Sequence, residues 1–505
     1  MTWTLDPDIC YRAIQTKDVR FDGQFFVAVH TTGIYCRPVC PATTPKSENC
    51  SYFPSAAAAQ QAGFRPCLRC RPELSPHLFA YVGTASTVAR ALRLIAEGAL
   101  DEGTVAELAM RLGMSDRHLR QLFAKHLGTS PMAVAQTRRL LFAKQLIDET
   151  NLSMTDIAIA AGFTSIRRFN DAVHKTYKRS PSELRRRHTQ ASDTTQTPRI
   201  SLKLPFSPPY NWTALMQFLI PRATPGLETA SLESYRRTIA LDGHHGMVEI
   251  CPVTEQNYLL AHIHFPKVAL LSQIVERLRQ IFDLNANTSE ISTHLQRDPV
   301  LAPVVVMQPG LRIPGAWDRF ELAVRAILGQ QISVAAATTL AARLVKAYGE
   351  PFAIAKTLQA NPDLQFVFPR PDILATADLT QIGIPKTRAK TIATLAATIA
   401  QNPHFLTHFQ TLDDAIQTLC QLPGIGEWTA HYIAMRTLHE PDAFPSTDLG
   451  LLRAMNALGQ SMTKAQFMQH SQAWRPWRSY AAMHLWSLDL TLLSNIRSNK
   501  EQLSA

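Results

Sequence analysis

No apolar run in this 505-residue sequence reaches the length of a membrane span, and the first residues, MTWTLDPDICYR, lack the pattern of a signal peptide. Cysteine is scarce as well: there are eight, and four of them lie between residues 36 and 70. That distribution favours a metal site in the cytosol over a disulfide framework. These absences predict a cytoplasmic protein. The length is too great for one hydrophobic core and predicts roughly three or four domains.

Acidic residues are in short supply in the first part of the chain. Residues 1–190 hold 25 of the 51 Lys and Arg residues but only 16 of the 40 Asp and Glu residues. Of the formal net charge of +11, +9 therefore falls in that segment. Such an excess predicts binding to a polyanion there. Charge alone leaves open the alternative of an ordinary solvated surface.

Four cysteines form two closely spaced pairs near the amino terminus. Three residues separate Cys36 from Cys40, two separate Cys67 from Cys70, and 26 residues lie between the pairs. Thiolates paired in this way select tetrahedral zinc, whereas four unrelated core cysteines are the alternative. The neighbouring arginines, which either balance the charge of a zinc–thiolate cluster or contact DNA phosphates, include Arg37, Arg65 and Arg69.

The segments FFVAVHTTGIYCRPVC and GFRPCLRCRP resemble the amino-terminal domain of the Ada family of bacterial adaptive-response proteins. The resemblance covers essentially all of residues 1–75. It implies that Cys36 removes a methyl group from a methylphosphotriester in DNA, with Cys36, Cys40, Cys67 and Cys70 as zinc ligands. Full-length Ada proteins also accept methyl groups from guanine at a Pro-Cys-His-Arg motif. The other four cysteines lie outside such a motif, so that activity is not expected.

The next hundred residues contain the same helical pattern twice. Thr104-x-x-Glu107 is a capping box ahead of apolar residues at helical spacing, and Ser115 can cap a second helix. About fifty residues later, Ser153 and Ser165 occupy the corresponding positions. The repeat predicts two helix-turn-helix units whose second helices could enter successive major grooves of DNA. A plain helical bundle is the alternative, which is weakened by basic residues on both second helices, namely Arg117, Arg120, Arg167 and Arg168.

Two segments of this region, MSDRHLRQLFAKHLGTSP and IAIAAGFTSIRRFNDAVHKTYKRSPSELR, resemble the AraC-type DNA-binding domain. The resemblance covers about 100 residues. It implies a promoter operator as a partner, together with RNA polymerase. Residues 189–200 are polar, rich in threonine and without periodicity, which predicts a linker.

From residue 201 to about 310 the pattern is mixed. LPFSPPYNW, SYRRTIAL, GMVEICPV and YLLAHIHF are typical of strands, and LLSQIVERLRQIFDL is typical of an amphipathic helix. The stretch resembles the α+β front domain of the AlkA family of 3-methyladenine DNA glycosylases. From residue 311 onward the pattern is almost entirely helical.

The sequence LCQLPGIGEWTAHYIAMRTLHEPDAFPSTD begins at Leu419 and ends at Asp448. Gly424 and Gly426 permit a tight turn, and the helix after them directs unpaired N–H groups toward a phosphate. An ordinary corner between two helices is the alternative. The whole segment resembles the helix-hairpin-helix–Gly/Pro–Asp signature of DNA base-excision glycosylases. That resemblance implies that Gly424 and Gly426 grip the DNA backbone and that Asp448 acts at the sugar of the target nucleotide.

The same resemblance assigns a base pocket to Trp428, Tyr432 and Trp486, although core packing is the alternative for any single tryptophan. Aromatic faces beside a carboxylate can stack on a flipped base. The position where the family inserts an apolar wedge into the duplex is Gln331 here. Bifunctional relatives carry a lysine where this chain has Trp428, which implies a monofunctional glycosylase that leaves an intact abasic site.

The sequence therefore predicts a multidomain fusion of a DNA-alkylation sensor and regulator with a glycosylase. The expected parts are a small α+β zinc domain (1–80), an all-α double helix-turn-helix domain (81–188), a linker (189–200), an α+β front domain (201–310) and an all-α helix-hairpin-helix domain (311–505). Zinc is the expected cofactor, and double-stranded DNA, both alkylated and operator, is the expected partner. Two alternatives are a regulator whose glycosylase half only clamps DNA, and a constitutive repair enzyme whose front half only holds DNA.

Overall fold

A computed structural model describes residues 6–77, 86–185, 199–352, 363–407 and 409–488. The chain divides into two compact units. The first contains Met1–Pro208 and Ala240–Arg279, and the second contains Pro209–Ile239 and Gln280–Ala505. The division between the units runs within the predicted front domain, and the predicted domain bounds stay predictions. The predicted linker 189–200 lies outside the described residues except for its last two positions, where a strand begins.

The first unit begins with a small mixed sheet and two helices. Its sheet has the order β3-β1-β2-β4, with β1 antiparallel to β2 and β3, and β2 parallel to β4. Phe25, Phe26 and Tyr35 are fully buried in it, because alternate residues of these short strands face α1 and α2. The elements are α1 (Pro7–Thr16), β1 (Phe26–Val29), β2 (Ile34–Cys36), β3 (Cys50–Phe53), α2 (Ala56–Gln61) and β4 (Arg65–Pro66).

Seven α-helices follow among residues 86–185, and the predicted capping residues stand at the start of four of them. Thr104 and Glu107 form the full capping box, and the hydroxyls of Ser115, Ser153 and Ser165 each accept a backbone N–H bond in the first turn of a helix. The two helix-turn-helix units are α4–α5 and α7–α8. The helices are α3 (Ser86–Ala96), α4 (Val105–Arg111), α5 (Asp116–Leu127), α6 (Pro131–Glu149), α7 (Met154–Ala160), α8 (Ile166–Tyr177) and α9 (Pro181–Arg185).

Strands return after residue 199. In the first unit β9 lies between β5 and β8 and is antiparallel to both, so β5 forms an edge. In the second unit β6 is antiparallel to β7, which contains the division between the units. The elements are β5 (Ile200–Pro205), α10 (Trp212–Leu219), β6 (Glu228–Ala230), β7 (Tyr235–Leu241), β8 (His244–Pro252), β9 (Tyr258–His264) and α11 (Leu271–Ile281).

The rest of the second unit is almost entirely helical, as predicted from residue 311 onward, apart from the two-residue strands β10 and β11. Ile327 on α14, Leu395 on α17 and Ile433 on α19 are fully buried in one apolar cluster that these helices share. The elements are α12 (Thr288–Leu295), α13 (Ala302–Met307), α14 (Arg319–Leu328), α15 (Val334–Tyr348), β10 (Glu350–Pro351), β11 (Phe366–Val367), α16 (Pro371–Thr376), α17 (Lys386–Gln401), α18 (Leu412–Cys420), α19 (Glu427–Thr437), α20 (Leu449–Ala457), α21 (Lys464–His470) and α22 (Arg478–Trp486). Among the described residues, none of the helices has the length and apolar character that crossing a membrane requires.

Candidate active site and metal centre

The four paired cysteines converge at one end of the small sheet. Parallel pairing of β2 with β4 places Tyr35 opposite Pro66, so the chain leaving each strand enters the same corner. The four Sγ atoms of Cys36, Cys40, Cys67 and Cys70 lie within 4.8 Å of one another. Tetrahedral zinc with bonds of about 2.3 Å would require sulfur atoms roughly 3.8 Å apart. The four thiols therefore fit a zinc ion, and Cys36 and Cys40 are the two that are partly exposed.

The arginines predicted near this site lie in different surroundings. The Arg37 guanidinium donates to Asp22 Oδ1 at 2.8 Å and to the Cys70 carbonyl at 3.1 Å, so it is engaged within the domain. Arg65 is half-buried and Arg69 is exposed. Of the three, Arg69 is the exposed one, and Arg37 braces the turn that carries Cys70; their contacts with DNA phosphates stay predictions.

The basic residues predicted on the two second helices all lie on exposed faces. Leu119 and Phe123 are buried on the opposite face of α5, as are Phe169 and Val173 on α8. This amphipathic arrangement leaves the polar face of each helix open to a groove of DNA. The exposed residues are Arg117, Arg120, Arg167 and Arg168.

The predicted hairpin is a tight corner between α18 and α19. Gly424 has φ +90°, and a Cβ atom there would lie 2.0 Å from Thr391 Oγ1 on α17, so only glycine fits. The Cβ position of Gly426, by contrast, has no atom within 4 Å. Because Gly426 is also the N-cap of α19, the helix begins at an open surface, where its N–H groups can face a phosphate.

Asp448 is the N-cap of α20, and two indole groups hold its carboxylate. Its Oδ1 accepts from the Leu451 backbone N–H at 3.0 Å and from Trp486 Nε1 at 3.0 Å. Its Oδ2 accepts from Trp428 Nε1 at 2.7 Å. The helix end and the two indoles fix the direction of the carboxylate, which is half-buried.

This carboxylate lines a cavity of about 510 Å³ within the second unit. The rings of Trp428 and Tyr432 stack with centroids 5.2 Å apart and planes 9° apart, and Trp486 meets Tyr432 edge-on at 6.3 Å. All three predicted aromatic residues therefore surround Asp448. The size of the cavity and its aromatic rings suit a single flipped base.

The sequence interpretation missed the cationic side of this cavity. Arg436 Nη1 donates to the Tyr432 hydroxyl at 2.7 Å, and Arg222 and Arg325 also line the cavity. Burial disfavours ionisation of Tyr432, but the charges of Arg436 and Arg222 outweigh burial and lower its pKa. Arg436 lies four residues after Tyr432 on α19. That spacing makes the two side chains neighbours on the helix surface, so the sequence alone could have indicated this pair. Arg222 lies far away in the chain, and no motif marks it.

Gln331, the predicted wedge residue, is exposed and has a left-handed backbone with φ 57°. The preceding residue ties this turn to the hairpin. Gln330 Nε2 donates to the Gly424 carbonyl at 2.9 Å and to Thr429 Oγ1 at 3.0 Å. Arg388 on α17 donates to the Gln330 carbonyl. Turn and hairpin are therefore held at a fixed spacing.

Four known families match successive parts of the chain. They are the metal binding domain of Ada (residues 9–73), a helix-turn-helix domain (108–187), the AlkA N-terminal domain (201–318) and the HhH-GPD superfamily of base excision DNA repair proteins (324–478).

Single relatives match the same parts. The DNA-3-methyladenine glycosylase 2 of Escherichia coli is 34% identical over 56% of this chain and 95% of its own. The bifunctional transcriptional activator/DNA repair enzyme Ada of Escherichia coli is 35% identical over 32% of this chain and 43% of its own. A probable bifunctional transcriptional activator/DNA repair enzyme AlkA of Mycobacterium tuberculosis is 42% identical over 95% of this chain and 96% of its own.

The chain belongs to the family of bifunctional AlkA-type transcriptional activators and DNA repair enzymes. Membership in this AlkA-type family confirms the predicted fusion, its multidomain fold class, and its combination of DNA repair with regulation. Zinc as cofactor and DNA as partner are also confirmed, and the second half is a DNA glycosylase.

For this AlkA-type protein we expect Gln330→Ala to lower the excision rate of an alkylated base in duplex DNA by about 10- to 100-fold, because small misplacements of positioning groups cost that much. The turn that carries Gln331 would lose its two bonds to the hairpin. Excision from single-stranded DNA, where no partner base must be displaced, should fall less than about threefold by the same reasoning. Single-turnover assays on both substrates measure the difference. Gln401→Ala, at the exposed end of α17, is the matched control, and equal losses on both substrates would contradict a wedge role.

Proposed function

We propose that this chain excises alkylated bases such as 3-methyladenine by hydrolysis at Asp448, and that it senses alkylated DNA by accepting a methyl group at Cys36. The observation that carries the first part is the Asp448 carboxylate, held by two indole N–H groups at a cavity with stacked aromatic rings. A regulator that only clamps DNA has no need of such a carboxylate. RNA polymerase is the partner we propose for the regulatory half.

The chemistry of excision follows from charge. Breaking an N-glycosidic bond builds positive charge on the sugar as the base departs, and one fixed carboxylate in a partly dry cavity stabilises that charge or activates water. Alkylated purines such as 3-methyladenine are already cationic, so their departure needs little assistance. The faces of Trp428 and Tyr432 favour such electron-poor bases by about 1–2 kcal/mol when water is excluded.

The methyl-acceptor step needs a nucleophilic sulfur that DNA can reach. Bound zinc would keep the Cys36 sulfur as a thiolate at neutral pH. Cys36 lies at the end of β2 and is partly exposed, while Cys67 and Cys70 are buried. Its sulfur would attack the methyl carbon of a phosphotriester, the carbon–oxygen bond would break, and the phosphodiester anion would leave. Cys40 is also partly exposed, and the family resemblance is what selects Cys36.

The thioether so formed removes about one negative charge from the site. At an effective dielectric constant of ~20, one charge at ~8 Å from a phosphate changes the interaction by roughly 2 kcal/mol before screening. A change of that size would raise DNA affinity by about tenfold or more. This gain is the proposed link between methyl acceptance and gene activation.

One experiment tests both parts together. The purified zinc-loaded protein is incubated with methylated DNA, and released bases and protein methylation are measured in the same sample. We expect free 3-methyladenine and one methyl group on the protein. Methylation without base release would instead favour a regulator whose second half only binds DNA.

We further expect borohydride to trap no covalent adduct between this protein and DNA that contains a substrate base. Trp428 stands two residues after Gly426, where a Schiff-base lysine would be needed, and an indole cannot attack the sugar aldehyde. Gel electrophoresis after reduction measures the adduct. A trapped band would mean that another amine performs this chemistry and that the glycosylase is not monofunctional.

A further inference from the structure

The edge strand β5 is covered by two side chains of α6, which belongs to the double helix-turn-helix region. Gln145 Nε2 donates to the Lys203 carbonyl at 2.8 Å, and Glu149 Oε2 accepts from the Lys203 N–H at 3.0 Å. Both backbone groups of one edge residue are thereby satisfied, as a neighbouring strand would satisfy them. Gln145 and Glu149 are one helical turn apart and also bond to each other at 3.0 Å.

The other oxygen of Glu149 contacts the residue that follows the last cysteine of the metal centre. Oε1 of Glu149 accepts from Arg71 Nη2 at 3.0 Å, and Arg71 directly follows Cys70. Arg71 has a left-handed backbone with φ 52°, and its guanidinium also contacts Asp148 at 3.2 Å. The side chain of Glu149 is only 7% exposed. A carboxylate buried to this degree is strongly destabilised when its cationic partner is lost.

Further bonds join the same two parts of the first unit. Arg279 on α11 donates to the carbonyls of Pro76 at 2.8 Å and Pro205 at 3.2 Å. Ser207 Oγ lies 3.1 Å from His77 Nε2. Residues 76 and 77 follow Cys70 closely, so two points on this short segment contact the front domain, one at α11 and one in the loop after β5. The interface does not depend on a single bond.

We propose that the Glu149 carboxylate connects the four-cysteine metal centre to the front sheet of the glycosylase, so that the state of the metal centre changes the strength with which α6 holds β5. Arg71 is the link on one side, and the Lys203 N–H is the link on the other. Strand β5 is thus coupled to the metal centre through a packed interface within the first unit, in addition to the continuity of the chain. The four clustered thiols support zinc as the metal at this centre; they belong to Cys36, Cys40, Cys67 and Cys70.

The test is hydrogen exchange at the Lys203 amide in the full zinc-loaded chain, before and after zinc is removed by a chelator. We expect removal to accelerate exchange there by at least about tenfold, because the turn that carries Cys70 and Arg71 is no longer fixed by the metal, so Arg71 is held less firmly against the buried Glu149 carboxylate. Glu149→Gln keeps an oxygen that accepts the Lys203 N–H but no longer carries the charge. In that variant the amide should stay protected and should change less than about twofold on zinc removal.

Two further variants serve as controls for the exchange measurement. Glu149→Ala should exchange rapidly at Lys203 whether or not zinc is bound, because the acceptor is gone. Glu255→Gln, in the exposed turn between β8 and β9, should respond to zinc removal as the parent does. The proposal is overturned if the parent shows no change on zinc removal. It is also overturned if Glu149→Gln responds as strongly as the parent, since zinc loss would then act by loosening the domain in general.

Discussion

Replacing Asp448 with asparagine is expected to lower excision of 3-methyladenine by about a thousandfold or more, which corresponds to roughly 4 kcal/mol of transition-state stabilisation. The amide keeps the size of the side chain and can still cap α20 through the Leu451 N–H. It removes the negative charge that would stabilise the developing cation on the sugar. It also places an NH2 group opposite the Trp428 Nε1 donor, where Oδ2 now accepts. Single-turnover release of base from alkylated duplex DNA measures the effect.

Asp378→Asn provides a matched control for this variant. Asp378 is also a capping aspartate of the second unit, since its side chain accepts from the Thr380 N–H, but it is exposed and lies outside the cavity. Its replacement should leave excision unchanged. DNA binding through the hairpin and methyl acceptance at Cys36 should persist in Asp448→Asn. Excision near the parent rate in Asp448→Asn would make this residue a structural cap and would remove the basis of the proposed mechanism.

Replacing Cys36 with serine is expected to abolish methyl transfer to the protein, a loss of at least about a thousandfold. A serine hydroxyl is not ionised near neutral pH, and oxygen is a poorer nucleophile than a thiolate. Mass spectrometry of digested protein after treatment with methylphosphotriester DNA should find one methyl group on Cys36 in the parent and none in the variant. Operator binding should then no longer increase after treatment.

Cys251→Ser is the control for this experiment, because Cys251 lies on β8, outside the four-cysteine cluster. It should accept a methyl group at the parent rate. A methyl group on Cys40, in the parent or in Cys251→Ser, would show that the family resemblance selected the wrong one of the two partly exposed cysteines. Unchanged operator binding after methylation of Cys36 would argue against the proposed switch.

Local signals in the sequence predicted much of this fold. The four predicted serine and threonine N-caps each stand at the start of the expected helix. N-capping depends on a hydrogen bond between residues only two or three positions apart, so a short sequence segment is enough to predict it. The segment LPFSPPYNW was less well predicted: β5 ends at Pro205, and residues 206–211 form a loop. Proline has no N–H group for a strand ladder, and three prolines fall between residues 205 and 209.

The sequence predicted those site residues whose chemical type and spacing along the chain form a recognisable motif. The paired cysteines, the hairpin glycines and Asp448 all lie in such motifs. Arg222 of the cavity and Glu149 of the interface do not, because their roles arise from partners far away in the chain. Tertiary contacts between ordinary residues leave no local pattern, so the sequence marks neither of them.

Two of the seven tryptophans of the chain, Trp428 and Trp486, donate to the carboxylate of Asp448, the proposed catalytic group. The cavity therefore contains intrinsic fluorophores, the indoles of Trp428 and Trp486. An electron-poor base stacked on an excited indole quenches its emission, so entry of a damaged nucleotide should be visible as a fall in intrinsic fluorescence. Because this signal requires neither a label nor bond cleavage, it separates the arrival of the base from its removal.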